Sequence, residues 1–391
     1  MARLPRCEVP SRSGTWPVIS LQEMYDSILG HYANEVVQVS VVSHRGELLL
    51  RLPGTPSGYE PRLVPTDGSW SISGGDYEGV EVTFSEDALI VGGFLTLNRV
   101  EEVPETHPGS GLLAPAYESD PRYESLWAET EQGGGPIQLP VDMPVGGFVR
   151  WLGDRDEVIF HGSNRSDIDV FQPRRESTEL HDPSGRGNLA AVYGTHDGLW
   201  AMFFAVVDRR RMKGSIRSGV ERLTNRAGEV MDAYRFSVSS ESEATWCNGT
   251  LYILPRDRFK RLEMFPGGPR SAEWACVGEV SPLARVLVSP ADFPFLDDVG
   301  VHDDTKLIHL EGLRKEIREA IVGFEDFPGG LRMHVHLSPS KVEQWKRLVT
   351  EFYPQVTIRA ESNLGVQDVE ILGPPAVLQS YQPAKNRDTD L

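Results

Sequence analysis

Two short stretches carry the residue types that could do chemistry. Val158-Ile159-Phe160 ends on His161-Gly162-Ser163, and Ala190-Ala191-Val192 ends on Tyr193-Gly194-Thr195. Each is an apolar run of strand length closed by glycine and a hydroxyl residue, so each strand delivers a ring and bare backbone to its end. A flat, amide-bearing ring needs aromatic surfaces on its faces and backbone N–H and C=O groups on its amide edge, while ribose hydroxyls suit a neutral imidazole or a hydroxyl. Tyr193, Gly162, His161 and Ser163 supply those types. Between the two stretches, Arg174 and Arg175 offer guanidinium groups, which match phosphate oxygens. Chemistry of this kind works by positioning and by electrostatic support of a loose, cationic transition state. It requires no metal.

The elements that position these residues lie in one region. After Thr195 the run Leu199-Trp200-Ala201-Met202-Phe203-Phe204-Ala205 is apolar all round and reads as a helix buried behind the two strands. Further strands are expected at Ala233–Val238, Gly249–Pro255 and Leu283–Val288, and the whole region is expected to form a mostly β domain over residues 148–304.

The pattern resembles the nicotinamide-binding core of the ADP-ribosyltransferases of the diphtheria-toxin and poly(ADP-ribose) polymerase type. In that family one strand ends on His-Gly-Ser or His-Gly-Thr, here His161-Gly162-Ser163, with the His on the adenosine ribose and the Gly backbone on the nicotinamide amide. Gly187 through Tyr193-Gly194-Thr195 to Phe203-Phe204 is similar in order and spacing to the second motif, a strand with a Tyr followed by a helix carrying a second ring. Gly249-Thr250-Leu251-Tyr252-Ile253-Leu254-Pro255 is similar to the third element, with Thr250 where the family has its catalytic Glu. Glu241 and Glu243 lie upstream and substitute for it only if the chain folds back.

The resemblance implies an α+β, multidomain chain whose central domain is a split-sheet ADP-ribosyltransferase-like core. It implies cleavage of NAD as co-substrate and transfer of ADP-ribose to a macromolecular acceptor, protein or nucleic acid. His161, Tyr193 and Thr250 would stand at the catalytic positions, with Gly162, Ser163, Arg174, Thr195, Phe203 and Phe204 binding the dinucleotide. Two alternatives stay open: an inactive module that binds NAD or ADP-ribose, and an enzyme resembling the tRNA 2′-phosphotransferases, which use Arg and His at a spacing not evident here.

Each of these residues also has an ordinary reading. His161 can be a core histidine satisfied by a carbonyl, Tyr193, Phe203 and Phe204 can be packing, and Arg174 and Arg175 can be surface charge. His334 and His336 share a strand face without a third ligand nearby. Asp292, Asp297, Asp298 and His302-Asp303-Asp304 read as a solvated acidic loop, and Arg209, Arg210, Arg211, Lys213, Arg217, Arg222 and Arg226 as a solvated loop and helix. The sharper reading of the cationic run is a phosphate or acceptor contact beside the cleft.

With 391 residues the chain is long enough for several domains. Residues 1–105 are expected to be a small α+β domain, with a helix over Leu21–Tyr32, strands at Val36–Val42, Leu48–Leu52, Trp70–Ile72, Val80–Phe84 and Ala88–Leu97, and a hairpin turn at His44-Arg45-Gly46-Glu47. Residues 106–147 are rich in Pro, Gly, Glu and Ser and read as a linker. Residues 305–380 read as a β-α-β-β module preceded by a helical run over Leu307–Phe324, and 381–391 as a disordered tail. A formal charge of −18 opposes an extended non-specific grip on nucleic acid. No stretch approaches the roughly 20 apolar residues of a membrane span, and the first residues lack the apolar core of a signal peptide. Three scattered cysteines, Cys7, Cys247 and Cys276, suit a reducing compartment, so a cytoplasmic, non-membrane protein is expected.

Overall fold

The structure is a computed structural model that describes residues 27–373, except 35–36, 86, 94, 104–108, 134, 175–188, 213, 240–244, 264–269, 306–307, 310–311, 313–320, 328–329, 353–356 and 364–365. Arg175, Glu241, Glu243, Lys213, Cys7 and the tail at 381–391 therefore lie outside the described residues. By contact the chain falls into two units. One holds residues up to 105 with 223–230 and 309–373, the other 106–222 and 231–308.

The first unit contains a closed eight-stranded barrel of β1 (Gly30–Ala33), β2 (Gln38–His44), β3 (Glu47–Arg51), β4 (Arg62–Pro65), β5 (Trp70–Ser73), β6 (Glu81–Phe84), β7 (Ala88–Val91) and β8 (Leu95–Val100). Each strand runs antiparallel to the next, and β8 returns to β1 through His31–Val100, Tyr32–Arg99 and Ala33–Asn98. Closure leaves no open strand edge. The turn joining β2 and β3 places Arg45 at φ 52° and Gly46 at φ 81°, the left-handed pair that a tight hairpin requires. The helix expected over Leu21–Tyr32 is corrected at its end: Ser27 and Ile28 are helical, Gly30 to Tyr32 are strand, and residues 21–26 lie outside the described residues.

The same unit includes an antiparallel sheet of β20 (Ile321–Phe327), β21 (Gly330–Leu337), β22 (Thr357–Asn363) and β23 (Val366–Gly373), ordered β20-β21-β23-β22. Its helix, Pro339–Phe352, buries Val342 and Trp345, as the sequence leads one to expect. The helical run ascribed to Leu307–Phe324 is corrected at its end, since Ile321 to Phe324 belong to β20.

The second unit is built on a seven-stranded sheet, ordered β10-β18-β15-β11-β12-β17-β16. Its strands are β10 (Gly135–Ile137), β11 (Val158–Ser163), β12 (Val192–Thr195), β15 (Gly249–Pro255), β16 (Lys260–Glu263), β17 (Arg270–Cys276) and β18 (Ala284–Val288). A smaller sheet places β14 (Val230–Val238) between β13 (Ile216–Thr224) and β19 (Gly300–Val301), with β9 (Leu112–Leu113) also on β14. Part of the cationic run is thus a strand, β13, where a loop and helix were expected. The helices are α1 (Arg122–Gly133), α2 (Val145–Asp154) and α3 (Gly198–Val206), followed in the first unit by α4 (Pro339–Phe352).

The expected linker is not a linker. Tyr123, Trp127, Ile137 and Met143 enter the same buried core as Phe148, Leu199, Phe203, Phe236 and Ile253. Gly146 and Gly147 make room for it, since a side chain there would meet the hydroxyls of Tyr117 and Tyr123. No helix among the described residues is long and apolar enough to cross a membrane.

Helix α3 fixes the sheet that carries the site. A Cβ on Gly162 would lie 2.1 Å from the Ala201 carbonyl oxygen, and one on Gly249 would lie 1.9 Å from that of Ala205. Backbone therefore meets backbone, and neither glycine can gain a side chain without displacing the helix. Overpacking of this kind costs about 1–3 kcal/mol or more, so Gly249→Ala should lower stability by at least that amount in chemical denaturation. Unchanged stability would contradict the close docking of α3.

Candidate functional site: a slot between two strands

Along β11 the side chains alternate. Val158 and Phe160 join the core with α3, while Ile159 packs on the opposite face with Phe171, Val192, Tyr252, Leu254 and Trp274. Gly162 continues the α3 side, which leaves His161 and Ser163 on the other.

The two edges of β11 behave differently. Its pairing with β15 runs unbroken from Val158–Pro255 to Ser163–Thr250, whereas its ladder with β12 consists of Phe160–Thr195. At the other end of β12 a bridge joins Arg174 to Ala191. Between these two contacts β12 has no ladder pair with β11, and this gap in the ladder, the slot, is flanked by Gly162 and Tyr193.

Backbone direction follows from the hydrogen bonds. The Leu283 N–H donates to the Ile253 carbonyl at 2.8 Å, so the polar groups of Ile253 point toward β18. Alternation turns those of Tyr252 toward β11, where its partner His161 reciprocates. The N–H and C=O of Gly162, one residue on, therefore point the other way, into the slot. From the opposite bank the Tyr193 carbonyl accepts a hydrogen bond from His161 Nδ1 at 2.6 Å.

That bond sets the state of the imidazole. A carbonyl only accepts, so Nδ1 carries the proton. Burial lowers the His161 pKa, the bond to Tyr193 opposes that shift, and the positive charge of Arg209 adds to the lowering. The ring is neutral and its Nε2 is an acceptor. Phe171 meets it edge-on at 4.8 Å and in turn meets Tyr252 at 5.0 Å. The Tyr252 hydroxyl secures the covering loop by donating to the Arg165 carbonyl at 2.9 Å and accepting from Ile168 N–H at 3.0 Å.

The remaining predicted residues divide between slot and scaffold. Tyr193 faces away from Val192, so its ring lies on the α3 side of the sheet and not on the face of His161. There it packs against Ala191, Leu262 and Ala275, and its hydroxyl donates to the Leu189 carbonyl at 2.9 Å. The two rings therefore do not share a face, and it is the Tyr193 carbonyl that meets the imidazole. Phe204 is half-buried beside Gly162, its carbonyl carbon 2.9 Å from where a Cβ on that glycine would stand. Arg174 is exposed at the far end of the slot.

Phe203 is corrected to a core residue, fully buried against Phe236 at 4.9 Å and Phe293 at 5.9 Å. Thr195 is corrected to a turn residue, for its hydroxyl accepts the Asp197 N–H at 3.1 Å. Ser163 Oγ accepts the Arg165 N–H at 3.2 Å. Thr250, opposite Ser163, is 1% exposed, and its hydroxyl has no hydrogen-bond partner among the described residues. An unmade bond at such depth costs about 1–3 kcal/mol.

Sequence reasoning missed Asp197, which caps α3 by accepting the Trp200 N–H at 2.7 Å and holds the Tyr234 hydroxyl at 2.8 Å. An Asp ahead of an apolar helical run was the available signal. Burial raises its carboxyl pKa against these two hydrogen bonds. His302 and Asp304 read as a solvated loop in the sequence, yet both are buried. His302 Nε2 meets Ser215 Oγ at 3.1 Å and Asp304 at 2.9 Å, while Nδ1 meets Ser237 at 2.8 Å. Asp304 and Ser215 thus share one ring nitrogen, unlike a nucleophile and the orienting acid of a triad, which use opposite ones. Arg217 pairs with Asp304, completing a structural network. No three His, Cys, Asp or Glu side chains among the described residues gather as a metal site.

Comparison with protein-family models, with curated proteins and with solved structures gives no match for this chain.

Beyond Thr195, His196 Nδ1 accepts the Trp274 indole N–H at 3.2 Å. Burial, then the charges of Arg261 and Arg222, lower its pKa to about 4. An unfolded histidine titrates near ~6.5, so the unfolded chain takes up this proton first as pH falls. The contribution of neutral His196 is complete above ~6.5 and is lost on descent toward 4. Between pH 7 and 4.5 the urea midpoint should therefore fall further for the unaltered chain than for His196→Gln. Equal falls would contradict the assignment.

Proposed function

We propose that the second unit is an NAD-binding core of the ADP-ribosyltransferase kind, which holds nicotinamide at the slot and passes ADP-ribose to a macromolecular acceptor, protein or nucleic acid. The supporting observation is the Gly162 backbone. Its N–H and C=O point together at an edge that β12 leaves unpaired, and a primary carboxamide presents the matching acceptor and donor.

The neighbouring groups support the same ligand. Tyr193 and Phe204 lie on the face that Gly162 shares with α3 and offer aromatic surface to a flat ring. His161 Nε2, on the other face, suits a ribose hydroxyl, so a ligand threaded through the slot would meet ring-binding groups on one side and a sugar-binding group on the other. Arg174 stands at one end for the pyrophosphate. When bound, NAD supplies the bond that breaks and nicotinamide as the leaving group. The chain binds the amide, orients the ring and holds the ribose, a task of positioning more than of acid–base catalysis.

Thr250 favours a second reading. The enzymes this chain resembles carry a carboxylate there, and a buried neutral hydroxyl steadies a developing positive charge far less. With Thr250 the core would bind NAD or ADP-ribose and leave it intact. Neither reading calls for a metal.

Incubating the protein with NAD labelled in its adenylate half, while following free nicotinamide and labelled acceptor, separates them. Transfer should fall at least tenfold in His161→Ala and in Tyr193→Ala if the first reading holds. Tight binding with NAD unchanged selects the second. No binding of NAD contradicts both.

A further inference from the structure

Tyr252 of β15 is the direct cross-strand partner of His161, so the two stand on one face of the sheet. It is fully buried. Both hydrogen bonds of its hydroxyl go to the backbone of the loop that joins Ser163 to Phe171, one to the Arg165 carbonyl at 2.9 Å and one from the Ile168 N–H at 3.0 Å.

The loop is otherwise fixed near its ends. Asn164 donates to the Ala205 carbonyl at 2.8 Å, and Phe171 exchanges two backbone hydrogen bonds with Val280, at 2.8 and 3.1 Å. Between them Arg165, Ser166, Asp167, Asp169 and Val170 are exposed, while Ile168 turns inward against the cluster that contains Tyr252. At the middle of this largely polar segment, one hydroxyl grips two backbone groups at once.

The ring of Tyr252 has a second role. Phe171, at the end of the loop, meets Tyr252 edge-on at 5.0 Å and His161 edge-on at 4.8 Å. Edge-to-face contacts of this kind fix the orientation of each ring to the next. The imidazole is thus set from two sides, since the Tyr193 carbonyl holds Nδ1 at 2.6 Å and Phe171 holds the plane of the ring.

We propose that Tyr252 is a positioning residue for the sugar side of the slot: its hydroxyl latches the loop, the latched loop seats Phe171, and Phe171 holds His161 with Nε2 toward a ribose hydroxyl. This rests on the reading of the slot as an NAD site. A group that is already oriented binds its ligand without the cost of ordering it at that moment. Gly162 and Phe204, which would take the nicotinamide ring from the α3 side, lie outside this chain of contacts, so the effect of Tyr252 is confined to ligands that carry ribose.

Calorimetric titration of the full chain with ADP-ribose, which has both riboses and no nicotinamide, and with free nicotinamide, which has no ribose, tests it. Tyr252→Phe keeps the ring and removes the latch; it should weaken ADP-ribose at least about fivefold and leave nicotinamide within about twofold. In a His161→Ala background the same substitution should change ADP-ribose binding by less than about twofold, because the imidazole it positions is gone. Phe171→Leu, which leaves the tyrosine hydroxyl in place, should repeat the selective loss. ADP-ribose bound at full strength by Tyr252→Phe or by Phe171→Leu would overturn the inference while leaving the slot reading intact. Equal loss of both ligands, or an undiminished effect in the absence of His161, would overturn it by showing that Tyr252 acts on the fold at large. An unaltered chain that binds neither ligand defeats the slot reading and this inference with it.

Discussion

Everything in the second unit depends on how closely α3 lies against the sheet. Ala201 and Ala205 present bare backbone to β11 and β15, and Gly162 and Gly249 receive it because no Cβ fits. On the far side of the helix start, Gly198 lets Val149 of α2 approach in the same way. With Gly162 committed to the helix, strand alternation forces His161 and Ser163 to the opposite face. The glycine that close packing requires is also the one whose backbone borders the slot.

The parting of β11 from β12 is the second constraint. Beyond Phe160–Thr195 the ladder stops, and polar backbone that would have been paired must find another partner. On the β12 bank, Tyr193 gives its carbonyl to His161 Nδ1. This hydrogen bond crosses the gap in place of a ladder bond and fixes the tautomer at the same time. Protonation would keep the Nδ1–H donor and turn Nε2 from an acceptor into a donor, and burial opposes it. On the β11 bank, the N–H and C=O of Gly162 point into the slot.

The two strands and the helix behind them were legible in the sequence, and the reason is local. Val158 to Phe160 and Ala190 to Val192 are short apolar runs of strand length. The apolar stretch from Leu199 to Ala205 could only be buried, and it became α3. Which face each ring would occupy was harder. Tyr193 and His161 looked like two walls of one hollow, but register decides the face, and register comes from the pairing of Phe160 with Thr195. The barrel was less legible still, since β4 spans Arg62–Pro65 and closure rests on β1 meeting β8 across the whole unit. In the supposed linker, Pro and Gly masked Tyr123 and Trp127, whose burial depends on α2 bringing Gly146 and Gly147 beneath Tyr117 and Tyr123. His302 and Asp304 show the same limit, for a charged triplet in sequence is a loop until distant partners such as Ser215 and Arg217 arrive.

The central claim is that a neutral His161, locked by Tyr193, presents its Nε2 to a ligand at the slot. The nitrogen spectrum of the histidine-labelled protein at pH 7, recorded before and after addition of NAD, addresses it most directly. A proton on Nδ1, a bare Nε2, and a change confined to the Nε2 resonance of His161 on saturation are the expected result. A proton on Nε2, a charged ring, or a His161 signal unmoved by bound NAD would contradict it.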